Sequence, residues 1–340
     1  MNVRTSLKAF LFFLLLMQGR GLAAASPGGI ESGLRIWLRA DAGIDVSDGA
    51  EVLRWPDASG NGGDAVYNPS NTYGELPPRF DLVNAGANNM PSVRFNGQNA
   101  LELDLGFLAG SDYTIFVVNA RDRDGLANFY IAGESTSQDS NLVLGYEADN
   151  LIRQAHFGRD LDGLVAPYDG NPAWSMDVFR FAENFGKEIY RNGKLLTLSY
   201  QWEALVSNTG TTIGHFRPFS SFSWFVGDLA EIIVYDRPLT SMEQSKVEAE
   251  LAERYAHIVE DRVLDSDWAE APPTIDGNPA EKGWAHAETL KITHQMTEIG
   301  TVRFMNDNDY LYVLFDLPWD TGDDDPPTFS EPGDFLSVHL

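Results

Sequence analysis

The sequence predicts an all-β protein: two antiparallel sheets packed as a sandwich, closed by one C-terminal helix, with an incomplete second β-sandwich after it. Three observations predict this. From Gly33 to about Tyr255, short apolar runs are broken by Gly, Asn, Asp or Pro at intervals of about a dozen residues, the cadence of antiparallel strands and turns. Asn192-Gly193 separates Glu188-Ile189-Tyr190 from Leu195-Leu196, and Asn-Gly most readily supplies the positive φ angles of a two-residue hairpin. Thr240-Ser241-Met242-Glu243 forms a capping box, in which the threonine oxygen accepts from the third amide on and the glutamate reaches back.

In chain order, Met1 to Ala25 reads as a secretory signal (residues 1–25). Arg4 and Lys8 give a positive start, Ala9 to Met17 an apolar run, and Ala23-Ala24-Ala25 the small residues of a cleavage site. That run is shorter than the about 20 residues a bilayer crossing needs, so the expectation is cleavage and a bacterial periplasmic or secreted location without membrane insertion. The sandwich occupies 30–258. Its strands are expected at Arg35 to Leu38, Ser92 to Phe95, Tyr113 to Asn119, Phe129 to Ala132, Asn141 to Tyr146, Trp174 to Phe181, Glu188 to Tyr190, Thr211 to Gly214 and Leu229 to Tyr235. The helix runs on to about Tyr255. Val247, Leu251 and Tyr255 form its apolar stripe and leave Glu248, Glu250, Glu253 and Arg254 for solvent. Residues 259–273 are acidic, end in Pro272-Pro273 and read as a linker. In 274–340, strands at Thr301 to Met305 and Tyr310 to Leu317 flank the turn Asn306-Asp307-Asn308-Asp309.

Two stretches bracket the sandwich: Trp55-Pro56-Asp57-Ala58-Ser59-Gly60-Asn61 running on to Ala65, and Gly227-Asp228-Leu229-Ala230-Glu231 running on to Thr240. Their pairing resembles the laminin-G-like, concanavalin A-like jelly-roll family, and Tyr190, Asn192, Gly193 and Lys194 match that family's penultimate hairpin. The resemblance implies a terminal helix over the sandwich and recognition of glycans or proteins outside the cell, with catalysis in only some members. Asp276, Gly277, Trp284, Tyr312, Asp316 and Asp334 resemble the opening of a family 9 carbohydrate-binding module and related DOMON-type sandwiches. Too few residues follow Pro273 to close such a module, and Leu340 falls in mid-strand, so the expectation is a fragment of a longer protein.

Composition narrows the function. The chain has no cysteine, which excludes thiol redox chemistry and leaves core burial to hold an exported protein together. Its formal net charge is −26. Such a surface repels phosphate backbones, so no nucleic acid is expected as a partner. The six histidines form no H-x-H or H-E-x-x-H spacing, and neither a G-x-S-x-G elbow nor a phosphate-binding glycine loop occurs. Glucanases on such sandwiches use Glu-x-Asp-x-Glu along one strand, where alternate residues share a face. Glu231-Ile232-Ile233-Val234-Tyr235-Asp236 has apolar residues in those places, so no catalytic residue is assigned.

The candidate sites are therefore binding sites. Asp57, Asn61 and Asp64, with Ser59, place oxygen donors on a Gly-rich turn that suits Ca2+, or equally a turn held by side chains bonding their own backbone. A sugar site uses an aromatic plate beside polar groups, because a pyranose face is apolar and its rim hydrogen-bonds. Tyr168 and Trp174 flank the loop Asp169-Gly170-Asn171-Pro172, where Asn171 adds an amide; Arg159 and Asp160 occupy a loop after a strand; Trp319 lies in a turn of the partial module. Trp37, Trp55 and Trp224 read as core. The partner expected is a polysaccharide or surface glycan. Alternatives are a protein, bound through an adhesion module of a larger surface protein, and service as the ancillary binding region of a polysaccharide-degrading enzyme.

Overall fold

A computed structural model describes residues 26–125, 127–219, 223–255, 267–268, 284, 287–294, 297–306 and 311–316. The expected secretory leader, most of the expected linker, Asp276, Gly277, Asp334 and Trp319 lie outside the described residues. Strands β1 (Leu34–Arg39), β2 (Arg54–Trp55), β3 (Ala65–Val66), β4 (Arg79–Asn84), β5 (Met90–Asn96), β6 (Leu101–Glu102), β7 (Tyr113–Arg121) and β8 (Asn128–Ala132) come first. There follow β9 (Leu142–Ala148), β10 (Leu151–His156), β11 (Asp160–Leu164), β12 (Trp174–Ala182), β13 (Gly186–Arg191), β14 (Lys194–Ser199), β15 (Thr212–Ile213), β16 (Val226–Tyr235) and helix α1 (Ser241–Tyr255).

They form two eight-stranded antiparallel sheets. The first runs β14-β13-β12-β7-β16-β5-β4, with β1 also paired to β16; the second runs β11-β10-β9-β8-β15-β6-β3-β2. Side chains alternate along each strand, so each sheet turns one face inward. Ile115, Val117 and Phe179 of the first sheet meet Tyr130, Leu144 and Ile152 of the second in one core. Phe116, Val118 and Ile233, on the other face of the first sheet, pack beneath Val247, Leu251 and Tyr255 of α1. This explains the unbroken apolar run of β7. The strand is buried at every position because a sheet covers one face and a helix the other.

The local expectations at the hairpin and the helix cap hold. Asn192 and Gly193 have φ of 50° and 75°, both positive, between β13 and β14. Thr240 N–H donates to Glu243 Oε2 at 2.9 Å, and Glu243 N–H donates to Thr240 Oγ1 at 3.3 Å. The solvent face of α1 needs correction. Glu248 is only 7% exposed and accepts from Gln244 Nε2 at 2.8 Å. Arg254 reaches the buried carboxylate of Glu231 at 2.5 Å, which also accepts from Trp37 Nε1 at 2.5 Å and Tyr255 Oη at 2.8 Å. A charge on a helix face reads as solvated from spacing alone, and here an acid on the sheet beneath recruits it.

A second correction concerns Asp160, which lies on strand β11 and not on a loop; a segment with so many charges reads as a turn, yet it is a strand with alternate residues buried. Beyond α1, β17 (Asp267–Trp268), β18 (Glu288–His294), β19 (Thr297–Asn306) and β20 (Leu311–Asp316) make a separate sheet in which β19 is central. Strand β17 falls inside the span expected to be linker. Trp284 is buried there against Ala287, Tyr312 and Leu314.

Candidate functional site

Strand register places one row of residues across the first sheet. Trp174 lies opposite Ala120, Ala120 opposite Asp228, Asp228 opposite Arg94, and Arg94 opposite Arg79. Directly opposed residues project to one face, so an indole, two carboxylate–guanidinium partners and a further guanidinium share a surface. Alanine in the middle leaves space. The resulting cavity of 570 Å³ is lined by Trp174, Pro172, Asp228, Arg94, Asp81 and Asn84, among others. Gly86 lets the half-buried indole lie against the turn after β4: a Cβ at that position would stand 2.7 Å from Trp174 Nε1.

The polar lining residues Arg94, Asp228, Asn84 and Asp81 belong to a connected chain that extends behind the cavity. Tyr168 Oη donates to Asp122 Oδ1 at 2.7 Å, Asp122 pairs with Arg94 Nη2, and Arg94 Nη1 donates to Asp228 Oδ2 at 2.6 Å. Ser92 Oγ donates to Asp228 Oδ1 at 3.3 Å, and Asn84 Nδ2 donates to Ser92 Oγ at 3.2 Å and Asp81 Oδ2 at 3.3 Å. Burial pushes the Asp122 carboxyl up, but hydrogen bonds from Arg94 and Tyr168 outweigh it and hold the group below its ordinary value. Burial likewise raises Asp228, and there Arg94 offsets it only in part, with Asp81 adding repulsion. Arg94 itself is held cationic: its two carboxylates more than cancel the effect of burial.

Of the expected aromatic pair, Trp174 lines the cavity, whereas Tyr168 does not line it and reaches its Arg94 only through Asp122. Asn171 is exposed, and its backbone N–H donates to Asp169 Oδ1 at 2.9 Å to close the loop between Tyr168 and Trp174. Arg159 and Asp160 lie elsewhere. Arg159 pairs with Asp139 at 3.1 Å and Glu203 at 3.0 Å, while Asp160 faces Arg153 at 3.2 Å on the outside of the second sheet. Trp37 and Trp55 are core, as expected, whereas Trp224 is half-buried and stacks on His215 at 3.5 Å between ring centres.

Asp57, Asn61 and Asp64 are adjacent, but their polar atoms hold the turn. Asp57 accepts from the N–H groups of Trp37 at 2.8 Å, Ser59 at 2.9 Å and Gly63 at 3.0 Å, and from Ser59 Oγ at 2.7 Å. Asp64 accepts from Asp57 N–H at 2.8 Å and pairs with Arg54, while Asn61 Nδ2 donates to Leu34 O at 2.9 Å. Calcium takes six to eight oxygens, and this set, already saturated with donors, does not fit one. No group of three or more His, Asp or Glu among the described residues is arranged to hold a metal ion.

Arg94, Asp122 and Asp228 escape a reading of the sequence because register, not spacing, brings them together. One signal was available: Asp228 interrupts the apolar strand Val226 to Tyr235, and an acid at such a position needs a partner.

No protein-family model matches the chain, and no curated protein matches it. Among solved structures, domain 4 of AbnA, a GH43 extracellular arabinanase from Geobacillus stearothermophilus in complex with arabinotriose, is similar at 17% identity and a TM-score of 0.48, over 66% of this chain and 100% of that one. Trypanosoma rangeli sialidase is similar at 16% identity and a TM-score of 0.45; the match covers 67% of this chain and 34% of the sialidase. The binding domain of Paraclostridial Mosquitocidal Protein 1 is similar at 13% identity and a TM-score of 0.46, over 84% of this chain and 76% of that one.

Proposed function

We propose that the chain is an exported, non-catalytic recognition protein that binds carbohydrate in the Trp174 cavity. One observation carries the reading: a half-buried indole forms the apolar wall of a 570 Å³ cavity whose opposite side is a prearranged row of carboxylates and guanidinium groups. The apolar face of a sugar ring suits the indole, and its hydroxyls suit the fixed acceptors and donors of Asp81, Asp228 and Arg79. Asp122 and Asp228 share Arg94, which fixes the position of both carboxyl groups. Affinity electrophoresis through gels cast with a panel of polysaccharides tests the reading. Retention on at least one is expected, lost in Trp174→Ala and unchanged by a chelator, because the Asp57 turn is already closed by hydrogen bonds. Migration unaffected by every polysaccharide would overturn it.

A second reading, adhesion to protein, is favoured by one feature. Phe185, Tyr200 and Trp202 are 61%, 61% and 59% exposed near the edge strand β14, and an edge strand with apolar neighbours invites contact with another chain.

A further inference from the structure

The outer face of the second sheet carries a trough separate from the Trp174 cavity. Register lays two rows across it: Ala132, Val143, Ala155 and Asp160 in one, and Phe129, Gly145, Arg153 and Asp162 in the other. Apolar residues therefore fall on the β8 side and charges on the β11 side. Gly145 opens the middle of the second row. At φ +139°, a Cβ there would stand 2.7 Å from Phe129 Cα, so no side chain fills the space between Phe129 and Arg153. Phe216 stands edge-on to Phe129 at 5.9 Å and Phe219 edge-on to Phe216 at 5.0 Å, building an aromatic wall along a cavity of 370 Å³.

The opposite wall is acidic in excess. Arg153 donates from Nε and Nη2 to Asp162 at 2.8 Å each, and its Nη1 is divided between Glu147 at 3.0 Å and Asp160 at 3.2 Å. One guanidinium thus serves three carboxylates. The uncompensated charge registers at Glu147, where burial raises the carboxyl above its ordinary value and Asp160 and Asp162 add to the rise against Arg153. Glu147 and Asp160 both line the trough. A negative rim beside an aromatic wall complements a cation with an apolar body, the charge by Coulomb attraction and the body by apolar contact. An anion would meet repulsion. A neutral polyol would donate hydrogen bonds to single carboxylates but carries no charge for the net excess to attract.

We propose that this trough is a binding site for a small organic cation, a protonated amine carried on an aromatic or aliphatic body that lies against Phe157 and Phe219. The test is calorimetric titration of the full chain with 2-phenylethylammonium chloride at low salt, beside 2-phenylethanol and 3-phenylpropionate. The ammonium is expected to bind saturably and about tenfold more tightly than the alcohol, and the carboxylate not at all. Glu147→Gln and Asp160→Asn, both part-exposed substitutions whose folding a melting curve verifies, should each weaken the ammonium by about threefold to tenfold. Equal affinity for ammonium and alcohol, indifference to both substitutions, or no binding of the ammonium would overturn the proposal. The ammonium should not displace the protein from any polysaccharide that retains it, so failure here is distinguishable from failure of the Trp174 cavity.

Discussion

Trp174 and Arg94 carry the account at the scale of single residues. Removing the indole in Trp174→Ala should weaken sugar binding by about 10- to 100-fold, since a buried aromatic anchor is commonly worth about 2 kcal/mol or more, while the melting temperature changes little at this half-buried position. Arg94→Met should instead destabilise the fold by about 2 kcal/mol in urea denaturation, because Asp228, whose side chain is 6% exposed, would keep its burial and lose its counter-charge. Both outcomes separate a ligand contact from a structural one. Trp174 was legible in the sequence as a candidate aromatic because it flanks a polar loop, whereas Tyr168, on the other side of that loop, does not line the cavity. The charged half of the site was not legible, because Arg94, Asp122 and Asp228 are far apart along the chain and meet only through the pairing of β5, β7 and β16. Arg159 and Asp160 read as one loop because charge density imitates a loop, although Asp160 belongs to a strand whose partner Arg153 gathers the acids.

At the scale of elements, α1 closes the outer face of the first sheet, and its start is fixed by a reciprocal cap. Glu243 also receives two bonds from Arg237, at 2.8 and 2.7 Å, and these hydrogen bonds with the cap pull its carboxyl down to about 2. A carboxyl lowered in the fold stabilises above its unfolded value of about 4.5 and loses that contribution as pH falls toward 2. Thr240→Ala and Glu243→Gln should each cost about 1 kcal/mol at neutral pH in urea titration, and the Glu243→Gln difference should vanish near pH 2. The cap and the Asn-Gly hairpin were readable because each is a local device, complete within a few residues. Glu248 and Arg254 were not, because the partners that bury or recruit them are set by packing and by Glu231 on another element.

Across the whole molecule, buried polar links join the two sheets. Tyr113 of the first meets His156 of the second at 3.0 Å, and Arg191 binds both Asp177 and the Tyr146 hydroxyl, whose own hydrogen goes to Asn119 at 3.0 Å. Burial, reinforced by nearby Lys187, lowers His156 to about 3. Below pH 6.5 the unfolded chain gains a proton that the folded imidazole refuses, so stability should fall from pH 6.5 toward 3. His156→Gln should flatten that dependence by on the order of 3 kcal/mol, read as the change in urea midpoint with pH. The sandwich that these links fasten was predictable from strand cadence, whereas β4, β10 and β11 were not, since strands that carry several polar residues resemble loops.

The central claim is that ligand enters the cavity beside Trp174. The most direct measurement follows the indole N–H resonances by NMR, with Trp174 assigned through Trp174→Phe, during titration with an oligosaccharide of the polysaccharide that retains the protein. The account predicts a saturable shift of the Trp174 signal while the core signals of Trp37 and Trp55 stay in place. A titration that moves other indoles and leaves Trp174 unchanged would contradict it.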